Sequence, residues 1–295
     1  MTALAIRAVG WRPSAWRLAG WLRGLGLLGL AVLLAVWTGL PIYNLLFIAF
    51  NEEDDEYSDD LWPDLPTFDN FITVLTQNHW YLEHFWRQFG NSFVVGIMTM
   101  LLTVLIGALV SFVIGRGRFR YGWLVSNTAL LTYVVPSSLL AIPFTRAMQQ
   151  YGLWDTLTAV VLAEVAFATP YAILIFHQYG KLIPLEVDEA ARIDGANPWQ
   201  IFARIYLPLM APALVAVGSY ALLLAWNEYL YQFLLLASTR KMTIAVALDQ
   251  FFDSDEAPWN VMMAVAVIYA IPPVIIFYAM RRSMLAGLNF DGVKG

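Results

Sequence analysis

Six long stretches of this 295-residue chain carry almost no charge, and each is long enough to cross a lipid bilayer as a helix. A bilayer core about 30 Å thick needs roughly 20 apolar helical residues at about 1.5 Å per residue. In lipid the backbone must satisfy its own hydrogen bonds, which such stretches do as helices. The sequence therefore predicts an all-α membrane protein with six transmembrane helices, at residues 25–50, 88–115, 121–145, 156–180, 212–237 and 257–280.

The composition supports this prediction and excludes several classes of function. Hydrophobic residues make up 60% and charged residues 13% of the chain, against roughly 45–50% and 25% in soluble proteins. The net charge of −5 disfavours a nucleic-acid partner. The absence of cysteine excludes thiol catalysis and cysteine metal sites. Since His79 and Glu83 are the one pair at ligand spacing on the predicted external helix, we expect no metal site.

The basic residues predict the orientation of the chain in the membrane. Thirteen of the 17 lysines and arginines fall on the side that also holds both termini, and the positive-inside rule makes that side cytoplasmic. The chain then divides into a cytoplasmic or interfacial N-terminal segment, a six-helix transmembrane domain and a cytoplasmic tail: residues 1–24, 25–280 and 281–295. The longer connections are two external loops and one cytoplasmic loop: residues 51–87, 238–256 and 181–211.

The cytoplasmic loop 181–211 carries helix signals of its own. Pro184 can open a short helix whose acidic first turns suit the helix dipole, and Gly195 supplies its C-terminal stop. A second helix start follows at once, with a capping residue, a first-turn proline and a third-position glutamine: Asn197, Pro198 and Gln200. We interpret this helix–glycine–helix unit as a docking element.

The same loop resembles the EAA loop of ABC-importer permeases. The matching motif residues are Glu189, Ala190, Ala191, Gly195, Ile205, Leu207 and Pro208. Further segments resemble the carbohydrate-uptake branch, and within it the G-type permease subunit of maltose and multiple-sugar importers: residues 67–71, 91–92, 226–229, 272–273 and 292–295.

This resemblance implies a type I ABC-importer permease fold in a bacterial or archaeal cytoplasmic (inner) membrane. It also implies four partner subunits, namely a second, F-type permease, two ATPases and an extracytoplasmic sugar-binding protein. In that family the EAA loop is the coupling helix seated in the ATPase, and the loop between spans five and six contacts the binding protein. The family's C-terminal tail also contacts the ATPase pair, and the matching residues are Val293, Lys294 and Gly295.

The chain has no sequence that could hold ATP by itself. A phosphate-binding loop needs the pattern G-x-x-x-x-G-K-[ST], and Gly180 with Lys181 lacks both the upstream glycine and the following hydroxyl residue. We therefore expect a transport subunit that is not an enzyme and holds no cofactor. ATP and magnesium are expected on the partner subunits.

Two carboxylates, Glu164 and Glu228, interrupt the predicted spans four and five. Because charge inside a membrane is costly, each is expected either to line the substrate pathway or to be satisfied by a neighbour such as Asn227, Thr169 or a partner helix. The aromatic residues near Glu228 could stack on sugar rings or anchor the chain at the membrane boundary. The candidate pathway residues are Glu228, Asn227, Trp226 and Tyr229.

Other functions stay open on the sequence. An ABC permease for amino acids, peptides or phosphate would share the EAA loop. An ion-driven secondary transporter could use Glu164 or Glu228 as its ion site, although the internal repeats frequent in such carriers are absent. An intramembrane enzyme is disfavoured, because the chain lacks H-E-x-x-H, G-x-S-x-G and cysteine.

Overall fold

The computed structural model describes residues 14–52, 61–63, 65–116, 121–253 and 258–288. Within these ranges the regular structure is helical, as the sequence predicts. The α-helices, in chain order, are α1 (Ser14–Phe50), α2 (Asp69–Thr76), α3 (Phe85–Arg116), α4 (Gly122–Leu131), α5 (Ser137–Gln150), α6 (Leu157–Gly180), α7 (Leu185–Ile193), α8 (Pro198–Ile201), α9 (Leu207–Leu209), α10 (Ala211–Asn227), α11 (Leu230–Leu235), α12 (Ile244–Ala247) and α13 (Trp259–Leu288). Outside the described residues lie positions 1–13 of the predicted N-terminal segment, most of the acidic external run, and the tail with Val293, Lys294 and Gly295.

Four helical stretches in the described part of the chain are long and apolar enough to cross a membrane: Trp21–Phe50, Trp80–Arg116, Leu157–Gly180 and Trp259–Arg281. They correspond to the predicted spans one, two, four and six. A fifth candidate is the bent pair Pro198–Leu209 and Ala211–Asn227, whose halves meet at 78°. The multi-span architecture is therefore confirmed, and the count of six stays a prediction.

The third predicted span, residues 121–145, is not one continuous helix. It consists of α4, a short 3₁₀ turn and the first part of α5, with Val135 in an extended conformation (φ −86°, ψ 117°) before Pro136. A proline removes one backbone donor and disfavours helical geometry in the residue before it. Hydropathy detects the apolar length of this stretch but not the break.

The helices α3 and α6 cross at very short range through small side chains. A Cβ atom added at Gly107 of α3 would lie 2.7 Å from the Cβ of Ala172 and 3.2 Å from the ring of Phe176. Ala172 and Phe176 are fully buried on α6. Small residues allow this approach in membrane helices, where dispersion contacts rather than the hydrophobic effect hold helices together.

Replacing Gly107 by alanine is therefore expected to destabilise the bundle by about 1–3 kcal/mol, the usual cost of overpacking. The matched control is Gly96→Ala on the same helix, where the added Cβ has its nearest neighbour at an ordinary 3.7 Å. Thermal unfolding in detergent, monitored by circular dichroism, measures the stability of the two variants. Equal stability of the two variants would show that the close crossing at Gly107 is not tight.

Candidate functional site

The loop 181–211 forms the predicted helix–glycine–helix unit. The first helix, α7, ends in a Schellman motif, in which the N–H of Gly195 donates to the carbonyl of Arg192 at 3.1 Å and the N–H of Ala196 to that of Ala191 at 2.9 Å. The motif requires a left-handed residue, and Gly195 has φ +85°. Backbone geometry therefore explains the glycine of the motif.

The second half of the unit begins at the predicted capping box. The side chain of Asn197 accepts the N–H of Gln200 at 2.9 Å, and the side chain of Gln200 accepts the N–H of Asn197 at 2.8 Å. The helix α8 continues as a π-helical turn, Phe202–Tyr206, and as α9. Tyr206 is buried and its hydroxyl is hydrogen-bonded to that of Ser111 on α3 at 3.0 Å, so this half is fixed to the bundle.

The exposed surface of the unit is mixed, with apolar side chains beside the charged residues Lys181, Glu186, Glu189, Arg192 and Asp194. Its exposed large apolar side chains are Leu182, Leu185, Val187, Ile193 and Trp199. Glu189 and Ala190 are exposed beside them and Ala191 is half-buried, while Ile205 and Leu207 are half-buried and Pro208 is exposed. Several large exposed apolar side chains on one short unit, with charged residues among them, are typical of a protein-binding site.

An ion pair outside the sequence motif joins this loop to α3. Arg116, the last residue of α3, pairs with Asp188 of α7, with 3.3 Å between Nε and Oδ2. The sequence shows an arginine at the end of a span and an aspartate early in a loop helix. It gives no reason to pair them, because 72 positions separate the two residues.

The predicted fifth span is interrupted at Glu228, which corrects the expectation that this residue sits inside a continuous helix. The helix α10 ends at Asn227, Glu228 is extended (ψ 133°), and α11 begins at Leu230. The Glu228 carboxylate accepts the backbone N–H groups of Tyr231 and Gln232 at 3.0 and 3.2 Å. The carboxylate thus replaces the helical partners that the break removes.

The four candidate pathway residues differ in how far they are buried. Trp226 is 2% exposed and stacks on Tyr269 with the ring centroids 4.9 Å apart. It therefore packs in the core of the bundle and does not lie at the membrane boundary as an anchor would, and its place in the pathway stays a prediction. Asn227 and Tyr229 are exposed at the break, where the Asn227 amide donates to the carbonyl of Leu223 at 2.8 Å. Glu228 is half-buried between them.

Glu164 lies on α6 and is 1% exposed. Its Oε1 atom is buried and has no hydrogen-bond partner among the described residues. Neither suggested neighbour satisfies it, because the amide of Asn227 is used within α10 and the hydroxyl of Thr169 itself has no partner among the described residues. Among the residues that the structure describes, no three or more histidine, aspartate or glutamate side chains form a cluster suited to a metal.

The start of the predicted loop 238–256 is fixed to the beginning of α6. Asp155 accepts the backbone N–H groups of Ala237 and Ser238, each at 3.0 Å, and pairs with Lys241 at 3.0 Å. Burial alone would raise the pKa of Asp155, but the hydrogen bonds from Ser238, Ala237 and Lys241 outweigh it and hold the pKa well below its ordinary value. The carboxylate therefore stays charged at physiological pH and keeps this end of the loop in place.

The sequence matches the family described as "Binding-protein-dependent transport system inner membrane component" over residues 103–286. It is 30% identical over 269 residues to the inner membrane ABC transporter permease protein YcjP of Escherichia coli, covering 90% of this chain and 95% of that protein. It is also 30% identical over 259 residues to the arabinooligosaccharides transport system permease protein AraQ of Halalkalibacterium halodurans, covering 86% of this chain and 91% of that protein.

The fold is similar to a chain of a bacterial ABC transporter involved in the import of the acidic polysaccharide alginate. The TM-score is 0.76 at 21% sequence identity, covering 93% of this chain and 99% of that one. The likeness supports a shared arrangement of helices.

Removing the Glu228 carboxylate is expected to loosen α11. Glu228→Ala leaves the N–H groups of Tyr231 and Gln232 without an acceptor, at a cost of about 1–3 kcal/mol, whereas Glu228→Gln retains one acceptor oxygen and costs less. Hydrogen exchange of the α11 amides measures the difference, with Asn227→Ala as the neighbouring control. Unchanged exchange in Glu228→Ala would show that the carboxylate does not support the helix.

Proposed function

The chain belongs to the family of binding-protein-dependent transport inner-membrane components, and from this premise we propose that it is one permease subunit of an ATP-driven importer for a sugar or oligosaccharide. The sugar assignment is supported by the relative named for arabinooligosaccharide transport and by the carbohydrate-type segments of the sequence. The chain is a transport subunit and not an ATPase, since its sequence contains no phosphate-binding loop.

The geometry of the EAA loop, residues 181–211, carries this proposal. The loop exposes large apolar side chains together with charged ones, including Glu189, and Gly195 gives α7 a fixed end. We assign this surface to an ATPase subunit, with Ala190 and Ala191 permitting close approach. The tail residues Val293 to Gly295 are assigned to the same ATPase pair from the family pattern.

The remaining assembly follows the same pattern. We assign six spans with both termini in the cytoplasm, a second, F-type permease beside this chain, two ATPases beneath it, and a sugar-binding protein on the outer side at loop 238–256. The 13 basic residues on the side of the EAA loop support this orientation. The membrane is the cytoplasmic (inner) membrane of a bacterium or archaeon.

The mechanism we propose is alternating access driven by the ATPases. ATP binding draws the two ATPase subunits together, and a rigid loop seated in them moves with them. The attached spans then rock from an inward-facing to an outward-facing arrangement, because ATP and the binding protein bind one of the two states more tightly. In this scheme Glu228, Asn227 and Tyr229 lie at a helix break, where backbone and side chains can reach a polar substrate.

The docking proposal predicts a specific effect at Gly195. Gly195→Ala forces a Cβ into a left-handed conformation, which costs about 1–2 kcal/mol, and the shift of α7 should reduce ATPase co-purification about tenfold or more. The matched control is Gly152→Ala, which meets the same backbone strain (φ +68°) between α5 and α6. Affinity purification from native membranes with mass spectrometry measures the bound partners.

In the same purification the unaltered chain is expected to bring down a Walker-motif ATPase and a second EAA-loop permease. A chain that purifies alone and transports without ATP would contradict the proposed function. Equal ATPase recovery with both glycine variants would remove only the docking assignment.

The pathway proposal predicts a transport defect for Glu228→Gln. If Glu228 accepts hydrogen bonds from sugar hydroxyls, the neutral amide should raise KM for uptake about tenfold or more, since bonds to a charged group contribute about 1.5–3 kcal/mol. Uptake of labelled arabinotriose, maltose and trehalose is compared, with Asn227→Ala tested in parallel. Normal uptake and assembly in Glu228→Gln would remove Glu228 from the pathway.

A further inference from the structure

We infer that Arg116 and Asp188 are positioning residues that join α7 to the second span α3, so that a movement of α7 in the EAA loop is passed on to α3. This inference rests on the proposed function, because it identifies where the docking loop is attached to the membrane helices. Arg116 ends α3, and Asp188 lies in the first turn of α7.

The helix α7 depends on Asp188 for its attachment. The structure describes all nine of its residues, and among them Asp188 alone is buried. Its neighbours Val187 and Glu189 are exposed. A short helix with one buried side chain takes its position from the partner of that side chain. This partner is Arg116, and the two side chains are 3% and 5% exposed.

Arg116 also contacts the chain at the last residue of α6 and just after it. Its Nη2 donates to the carbonyl of Ile183 at 2.9 Å and lies 3.4 Å from that of Gly180. Its guanidinium lies 5.8 Å from the ring centroid of Tyr206 in the π-helical turn. One planar, multidentate cation thus connects the end of α3 to the end of α6, to α7 and to the turn before α9, which a single ammonium group could not do.

The pair is sensitive to the loss of either member. Both carboxylate oxygens of Asp188 lack a well-directed hydrogen-bond donor in the described part of the chain, so the positive charge of Arg116 is what compensates the buried carboxylate. Removing one partner of such a pair leaves an uncompensated buried charge. A cavity of about 170 Å³ beside Arg116, bounded by Ile183, Leu185 and Tyr206 among others, gives α7 room to shift once the pair is broken.

The attachment itself is tested by hydrogen exchange on the purified full-length chain. Asp188→Asn is expected to speed the exchange of the α7 amides about tenfold or more, because the helix loses its anchor. Asp194→Asn removes an exposed charge at the end of the same helix and is the control. If Asp188→Asn prevents folding, Arg116→Lys keeps the charge and loses the fork, and should give an intermediate increase. Unchanged exchange in Arg116→Lys and in any folded Asp188→Asn would overturn the inference.

The transmission of movement is tested on the complex with its co-purified partners. The chain has no cysteine, so spin labels can be placed on cysteines at two exposed positions, Val113 of α3 and Val274 of α13. MgATP is expected to change the distance between the labels in the otherwise unaltered complex. If it folds, Asp188→Asn should abolish this change in distance, and Arg116→Lys should reduce it. Both variants should still hydrolyse ATP. The control Asp69→Asn, which removes an exposed carboxylate at the start of α2, should leave the change in distance intact.

The outcomes separate the two ideas. If α7 loosens but MgATP still moves α3 by the full amount, the pair does not transmit movement and the inference fails, while the proposed function stands. If the unaltered complex contains no ATPase, the proposed function fails, and with it the role of the pair in transmission.

Discussion

The need to satisfy backbone hydrogen bonds without water governs this structure. Continuous helices such as α3 and α6 meet it by themselves, and each departure from a helix needs a substitute. At the break between α10 and α11, the carboxylate of Glu228 supplies acceptors for two N–H groups. At the end of α6, the buried guanidinium of Arg116 donates to the carbonyls of Gly180 and Ile183.

The buried ion pair between Arg116 and Asp188 lets the EAA loop be both exposed and fixed. Apolar and charged side chains on its outer surface are free to bind another protein, while the inner side is attached by few but costly contacts. Removing one partner of a buried ion pair such as Arg116–Asp188 costs about 3–5 kcal/mol, a large share of the 5–15 kcal/mol that typically stabilises a whole protein. Rigid attachment is what a loop needs if it is to transmit force from an ATPase to the membrane helices.

Much of the fold follows from simple sequence rules because apolar length and capping chemistry act locally. The span predicted at 156–180 coincides with α6 within one residue at its start, and Thr156 caps it. The capping box at Asn197 and the glycine stop at Gly195 also form as predicted. The third and fifth predicted spans fail as single helices, because their breaks depend on Pro136 and Glu228, whose effect an average over twenty residues conceals.

The sequence by itself determined the membrane class, the helical architecture, the lack of a phosphate-binding loop motif and the shape of the EAA loop. All of these depend on composition or on residues within a few positions of one another. The tertiary structure decided that Trp226 packs on Tyr269 in the core and that Arg116 pairs with Asp188. These contacts join residues between 43 and 72 positions apart, and only the packing of whole helices brings such residues together.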